Sequence, residues 1–436
     1  MDQEEDPDLP HLRIYEDRSV LYEKNGKRLQ VFREGGQSTD AKNRAEKIRK
    51  KFSEGFLGLA IKRCREGKAE FDKLSDQPKE ILKGIIDAVT SEFGRGIVVL
   101  SILQMAIKAI EPDQIIRLHK AGRGDFSWSE GVTMRRLDED FVTPFLRDEK
   151  LLNMNKWGAM MTRSLAENYP YTRFYKAALR GPKKEWTALV DLLESGQVDA
   201  KVALDYSIWL LIKRSERFQA LATEVVELAK KKSAAINSPN QVLGILMNHT
   251  ADPGLPAARL LEVSMHSLMQ SVVELHALGD LNLSRLSQMR QANKKAGNIA
   301  DIELTAANSI VEAWDAKYGK PYLYDELLEL HDKLMQEEFP ALDKVGFVTD
   351  AEPDLRKVVS DKIEEIANEF SVSVSILTLK DWTATQMSRV PTSDRVELAR
   401  HWLIAYAESL ALYRPKIAPI DEPTESWLQV LKKLLS

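Results

Sequence analysis

Two aspartates and one lysine have a spacing that suits the hydrolysis of a phosphate ester. Asp301 lies in the apolar run 298–304, and Asp315 and Lys317 lie in the next such run, 310–318. Side chains alternate between the two faces of a strand, so Asp315 and Lys317 project to the same side. If the two runs pair as strands, Asp301 approaches Asp315. Two carboxylates this close repel unless a cation lies between them, and oxygen ligands suit Mg²⁺.

The lysine would supply the second part of this chemistry. An ammonium group beside a cation orients the attacking water and stabilises the negative charge that develops on a phosphodiester. An acid-x-lysine triplet alone is not specific, because Glu66-Gly67-Lys68 and Asp148-Glu149-Lys150 also match it. The triplet at 315–317 differs because an acid-bearing apolar run precedes it and helical patterns flank it. The alternative is an edge strand with a surface ion pair.

The elements around these residues predict an α/β fold (mixed α+β). A long amphipathic helix is expected over 255–278, with Pro256 in its first turn. Alternation and β-branched residues then predict strands near 299–305, 309–318, 345–349 and 372–379, with helices over 323–338 and 354–370. This order is typical of a mixed sheet flanked by helices.

The rest of the chain is mostly helical in pattern. Asn25-Gly26 between two short β runs, 19–23 and 28–32, predicts a type I′ hairpin. Helices are expected over 41–66, 76–92, 94–110, 182–195, 198–213 and 215–233. We therefore predict three regions: an N-terminal hairpin and helical region over 1–110, a mostly helical recognition and dimerisation region over 111–245, and a catalytic domain over 246–436.

In this element order, Asp301, Asp315 and Lys317 resemble the PD-(D/E)xK nuclease superfamily. The proline that gives the motif its name is absent, since Ala300 precedes Asp301. More narrowly, the stretches Gly-Ala-Met-Met-Thr-Arg-Ser-Leu-Ala-Glu-Asn-Tyr-Pro-Tyr at 158–171 and Val-Glu-Ala-Trp-Asp-Ala-Lys-Tyr-Gly-Lys at 311–320 are similar to the SacI-type restriction endonucleases. The resemblance covers about the last two thirds of the chain and leaves out the first 90 or so residues.

The resemblance implies a type II restriction endonuclease that cleaves double-stranded DNA at a short palindromic site with Mg²⁺. Carried onto this chain, Asp301, Asp315 and the Ala316 carbonyl would bind the metal, and Lys317 would position the water. Relatives often add a glutamate from the preceding helix, for which Glu262 is the first candidate and Glu274 the second. Glu303, on the same strand face as Asp301, is an alternative ligand. A two-fold DNA site also implies a homodimer, and host protection implies a cognate DNA methyltransferase.

Two basic segments are candidates for DNA contacts. Between positions 41 and 68 there are ten basic and three acidic residues, among them Arg49 and Lys50. Arg163, Arg173 and Lys176 lie in or near a run that interleaves aromatic and basic residues, and arginine suits phosphates and guanine edges. The alternatives are a solvated helix face for the first segment and ordinary aromatic packing for the second.

The composition excludes several classes of protein. Cys64 is the single cysteine, which excludes a disulfide framework and a multi-cysteine metal site. The acidic N-terminus and the lack of a long apolar run predict a cytoplasmic protein without a membrane partner. Two other functions remain open: a catalytically silent, nuclease-like DNA-binding or interaction protein, and a repair or phage-defence nuclease that recognises DNA structure rather than sequence.

Overall fold

A computed structural model describes residues 9–90, 94–120, 126–152, 154, 158–160, 163–286, 298–417 and 422–436. The chain divides into two compact units, Met1–Arg217 and Phe218–Ser436, whereas the sequence predicted three regions. The boundary falls inside a continuous helix, which the sequence pattern does not reveal. Within the described residues, no helix is long and apolar enough to cross a bilayer.

The first unit combines a small antiparallel sheet with a helical core. Its strands are β1 (His11–Ile14), β2 (Arg18–Tyr22) and β3 (Arg28–Arg33), in that order in the sheet. Its helices are α1 (Thr39–Ser53), α2 (Phe56–Arg65), α3 (Asp76–Asp87), α4 (Arg95–Ile110), α5 (Met134–Leu137), α6 (Thr143–Asp148), α7 (Lys183–Glu194) and the first part of α8 (Ala200–Ala234). The predicted hairpin is confirmed: Asn25 and Gly26, between β2 and β3, have φ angles of 61° and 67°, as a type I′ turn requires.

Two helix boundaries differ from the prediction. The segment 41–66 forms two helices because Gly55 adopts a φ of 83° between α1 and α2. By contrast, α8 is one helix of 35 residues where two were expected. No glycine or proline interrupts the polar stretch near Lys213, so nothing in the chain ends the helix there.

The second unit holds a five-stranded mixed sheet, which confirms the predicted α/β class. After the end of α8, the elements are α9 (Pro239–Thr250), α10 (Ala257–Glu274), β4 (Asn282–Leu283), β5 (Ile302–Ala306), β6 (Ser309–Ala316), α11 (Tyr324–Gln336), β7 (Lys344–Thr349), α12 (Lys357–Phe370), β8 (Ser373–Thr378), α13 (Leu379–Met387), α14 (Arg395–Glu408), α15 (Arg414–Ile417) and α16 (Thr424–Leu435). The sheet order is β4-β5-β6-β7-β8. Strands β4 to β6 pair antiparallel, and β6 to β8 pair parallel.

Helices cover both faces of this sheet, and the central strands β6 and β7 carry buried apolar residues on each face. On one face, Trp314 and Val348 pack in a core with residues of α10, α13 and α14. On the other face, Ala313 and Phe347 pack with residues of α11 and α12. The end of β6 is therefore held from both sides, which fixes the direction of the side chains that follow it.

Gly346 on β7 leaves no room for a side chain. A Cβ atom at this position would lie 2.6 Å from Cζ3 of Trp314 and still closer to the carbonyl oxygen of Ser375. We expect Gly346→Ala to lower the free energy of unfolding by about 1–3 kcal/mol, as overpacking of a close-packed core does. Urea unfolding measures this, with Gly244→Ala in α9 as the control, since a Cβ there meets no atom within 4 Å. Equal losses in the two variants would contradict the packing argument.

Candidate active site

Asp301 and Asp315 meet where β5 begins and β6 ends. The two strands are antiparallel, with Ile302 opposite Trp314, so the next pair outward is Asp301 and Asp315. Their carboxyl groups are hydrogen-bonded to each other, and Oδ2 of Asp301 accepts the Ala316 N–H at 3.0 Å. The sequence pattern placed Asp301 within the strand, but in the structure Asp301 directly precedes the first residue of β5. The expected approach of the two carboxyl groups is nevertheless present in the structure.

The two carboxyl groups differ in their affinity for a proton. Burial and the adjacent charge of Asp315 raise the pKa of Asp301 well above its ordinary value. Burial also disfavours the charge on Asp315, but the hydrogen bond from Asp301 and the charge of Lys317 lower the pKa of Asp315 overall. Burial and mutual repulsion therefore favour the protonated form of Asp301 and the charged form of Asp315, the pattern typical of two carboxyl groups that share a site.

Lys317 lies directly beside Asp315. Its Nζ is 2.6 Å from Oδ2 of Asp315, and its backbone N–H donates to the Val348 carbonyl at 2.8 Å, just beyond the end of β6. Burial disfavours the charged ammonium, but the attraction of Asp315 raises the pKa of Lys317. Lys317 is therefore a charged group at a fixed position, with its side chain on the same strand face as Asp315.

A cavity opens in front of this ion pair, toward helix α11. Asp315 and Lys317 line it together with Phe347 of β7 and with Glu326 and Lys333 of α11. Of these, Glu326 forms an ion pair with Lys320, whose Nζ lies 2.5 Å from Oε1 of Glu326. The charged residues that line the cavity are thus two lysines and three acids, since Glu329 of α11 also lines it.

Glu262 on α10 is the nearest further acid, but its carboxylate has another partner. It forms an ion pair with Arg259 one turn earlier. Burial raises the pKa of Glu262, Arg259 opposes this rise, and the charge of Asp315 adds to it. Arg259 in turn donates to Glu422 at 2.8 Å, and Glu422 accepts from Arg414 at 2.7 Å. Glu262 therefore lies close enough to Asp315 for the two charges to repel each other. A buried network of two arginines and Glu422 holds Glu262 in place.

The other two glutamates considered from the sequence do not join the pair. Glu274 is twelve residues after Glu262 on α10, about 18 Å farther along the helix axis, and it is exposed beside His401. Glu303 is buried, and its Oε1 accepts the backbone N–H groups of Ile299 and Ala300 at 2.7 and 3.3 Å. Its role is therefore local, in the segment that leads to Asp301.

Among the described residues, His331 of α11 and Glu365 and Glu369 of α12 form one close set of potential metal ligands, whose ligand atoms lie within 4.8 Å of one another. Asp301, Asp315 and Glu262 do not form so tight a set. The candidate site is therefore a pair of acids with a third acid at greater distance.

The residues predicted to contact DNA lie in the first unit, whereas the acids lie in the second. Arg49 pairs with Asp140 at 2.8 Å, and Lys50 is exposed near Glu54. Arg173 and Lys176 are both exposed, the first over the ring of Phe174 and the second over that of Tyr169. Arg163 begins a short 3-10 helix, but its side chain is outside the described residues.

The charge of the basic segment is largely balanced by acids from distant parts of the first unit. The partners of five of its cations are Glu130 for Arg44, Glu111 for Lys47, Asp140 for Arg49, Asp205 for Arg63 and Glu149 for Arg65. Its field is therefore weaker than the sequence count suggests, and this segment alone is poor support for a DNA-binding surface.

Several residues that shape the site could not be recognised in the sequence. Arg259 and Glu422 are far apart in the chain, and neither belongs to a motif. Lys333 donates to the Ile299 carbonyl at 3.1 Å from α11. One available signal was the spacing of Arg259 and Glu262, three residues apart on a helix and therefore neighbours on its surface.

Comparison with known proteins assigns no family to this chain. No protein-family model matches the sequence, and no curated protein matches it at a significant level. The geometry and chemistry of Asp301, Asp315 and Lys317 are therefore the basis on which a function can be assigned.

Proposed function

We propose that this protein is a Mg²⁺-dependent nuclease that hydrolyses phosphodiester bonds in double-stranded DNA, specifically a type II restriction endonuclease. The observation that carries the proposal is the meeting of the carboxyl groups of Asp301, partly buried, and Asp315, buried, at adjacent strand ends, with Lys317 bonded to Asp315. Acid pairs with an adjoining ammonium group suit metal-assisted hydrolysis, because they combine a cation site with a group that aims water.

The residues present fit a divalent cation. Burial and the charge of Asp315 raise the pKa of Asp301, and a cation would relieve the same repulsion. The Ala316 N–H points at Asp301, and the N–H and C=O of one strand residue face the same side. Asp301, Asp315 and the Ala316 carbonyl would therefore hold Mg²⁺, with Glu262 as the candidate third acid. A bound Mg²⁺ would polarise the phosphate and lower the pKa of a coordinated water.

The chain's own groups supply the remaining functions. Lys317, charged and anchored at 2.6 Å from Asp315, would orient the water and stabilise the oxyanion on the phosphate. Asp315 would fix the direction of that ammonium group. Glu262 would approach the cation only if its ion pair with Arg259 opened, so its part in the reaction depends on how firmly the buried network holds it.

The finer parts of this proposal are supported by the sequence resemblance rather than by the site geometry. They are cleavage at a short specific site, a homodimer matched to a two-fold DNA sequence, and a cognate methyltransferase. Arg49, Lys50, Arg163, Arg173 and Lys176 remain the proposed DNA contacts.

Incubation with unmethylated phage DNA tests the proposal directly. We expect discrete fragments with Mg²⁺ and none with EDTA, with ends that map to one short sequence. We also expect Mg²⁺ without DNA to stabilise the protein, by about 2.7 kcal/mol at a concentration of roughly 100 times Kd. A smear of fragments would favour a structure-specific nuclease. No cleavage, together with a melting temperature insensitive to Mg²⁺, would favour the catalytically silent protein.

A further inference from the structure

The two residues before Asp301 are held by side chains from two directions. Glu303 on β5 accepts the N–H groups of Ile299 and Ala300 on its Oε1, at 2.7 and 3.3 Å. Lys333 on α11 donates from Nζ to the Ile299 carbonyl at 3.1 Å. Both polar groups of the Ile299 backbone are therefore bonded to side chains instead of to a neighbouring strand.

Glu303 occupies a buried position at which an apolar side chain would lose less hydration free energy on folding. It is buried in a strand between Ile302 and Leu304, which are themselves buried. Burying a carboxyl group is unfavourable unless hydrogen bonds compensate for the lost water. Here the hydrogen bonds come from the backbone N–H groups of Ile299 and Ala300, immediately before Asp301. The buried carboxyl group of Glu303 therefore stabilises the position of this segment.

Lys333 joins this segment to the cavity of the candidate site. Its side chain lines the same cavity as Asp315 and Lys317, and its bond to the Ile299 carbonyl links α11 to the start of β5. The segment before Asp301 is thereby tied to its own strand and to a helix on one sheet face. Loss of either tie leaves the Asp301 backbone with fewer constraints.

We propose that Glu303 and Lys333 are positioning residues that hold Asp301 against Asp315, so that the two carboxylates are already placed for a divalent cation. This inference rests on the proposed function. Residues that orient metal ligands without touching the metal commonly change metal affinity by about 10- to 100-fold when they are replaced. Neither residue is proposed to contact the substrate.

Three variants separate positioning from simple structural support. Glu303→Ala removes the acceptor, Glu303→Gln keeps a carbonyl oxygen for the two N–H groups, and Lys333→Met removes the donor at similar length. The matched controls are Glu364→Ala and Lys357→Met, exposed positions on α12. The first measurement is amide hydrogen exchange of the peptide spanning 298–303, without metal. The second is calorimetric titration with MgCl₂.

We expect faster exchange over 298–303 in Glu303→Ala and Lys333→Met, and near wild-type exchange in Glu303→Gln. We also expect the Kd for Mg²⁺ to rise about tenfold in the first two variants and to stay near the wild-type value in the third. If Glu303→Ala does not fold, Glu303→Gln and Lys333→Met still decide the matter.

Two results would overturn the inference. One is unchanged exchange in folded Lys333→Met and Glu303→Ala proteins. The other is faster exchange with no change in Mg²⁺ affinity, which would make the contacts structural only. A wild-type protein that neither binds Mg²⁺ nor cuts DNA would instead overturn the proposed function, and the exchange measurement would still decide whether the two side chains hold the segment.

Discussion

Replacing Asp315 with asparagine, or Lys317 with methionine, should reduce DNA cleavage by about 1,000-fold or more while leaving DNA binding largely intact. Asp315→Asn removes the negative charge that would hold the cation and fix Lys317. Lys317→Met removes the ammonium that would aim the water. Most binding energy comes from phosphate contacts spread over the interface, so loss of one group at the site changes affinity little. Cleavage rates and gel-shift affinities in the same buffer measure the two effects.

The chain provides a matched control for Lys317→Met. Lys357 also pairs with an acid, and its Nζ lies 2.8 Å from Asp361, close to the 2.6 Å of the Lys317–Asp315 pair. The Lys357–Asp361 pair is exposed and lies outside both candidate DNA-contact segments, so the Lys357→Met variant should cut DNA at the wild-type rate. Full activity in Lys317→Met with Mg²⁺ present would remove the nuclease assignment. Melting temperatures of all variants separate loss of chemistry from loss of folding, because Asp315→Asn leaves a buried cation without its partner.

Asp301→Asn should stabilise the metal-free protein while abolishing cleavage. The pKa of Asp301 in the folded protein is raised well above its ordinary value of 3.8. Its contribution to stability is therefore complete below 3.8 and is lost as pH rises through the folded-state pKa. Asparagine keeps the oxygen that accepts the Ala316 N–H and cannot ionise beside Asp315. Above the folded-state pKa we expect a gain of about 1–2 kcal/mol, typical when a destabilised active site is relaxed.

Urea unfolding in EDTA over a series of pH values measures this gain. The difference between Asp301→Asn and wild type should shrink as pH falls through the folded-state pKa of Asp301. Asp315, whose pKa is lowered, affects stability in the opposite sense and only below 3.8, so it does not obscure the trend. Asp361→Asn, at an exposed pair with Lys357, should show no such dependence. A variant no more stable than wild type at any pH would contradict the shared-proton description.

In the second unit, the strands and helices between 255 and 379 were largely accessible from sequence because they are strongly patterned, whereas α9 and the helices after 379 were not predicted. The strand near 309–318 and the helix over 323–338 correspond to β6 and α11 within a few residues. The structure also contains β1 and β4, which the sequence analysis missed. With four and two residues, they are too short for an alternation pattern, and pairing with a neighbour defines them instead.

The site was predictable in its central pair but not in its surroundings. Alternation along a strand places Asp315 and Lys317 on one side, and this requires no knowledge of the rest of the chain. The partners of Glu262 and the role of Glu303 depend on contacts between distant segments, which a single sequence does not encode as a pattern. For the same reason the sequence overstated the net charge of the basic stretch over 41–68, because the acids that pair with it come from positions as remote as Asp205.

The buried bond from Glu422 to Arg259 makes the end of the chain part of the scaffold around the acids. Glu422 is the one carboxylate seen to accept from both Arg259 and Arg414 among the described residues. A protein shortened before position 422 would remove the carboxylate that both buried guanidinium groups share, and α10 would lose a contact that orients Glu262. An affinity tag is therefore better placed at the N-terminus, and deletion mapping from the other end would report on the integrity of α10 rather than on a separable tail.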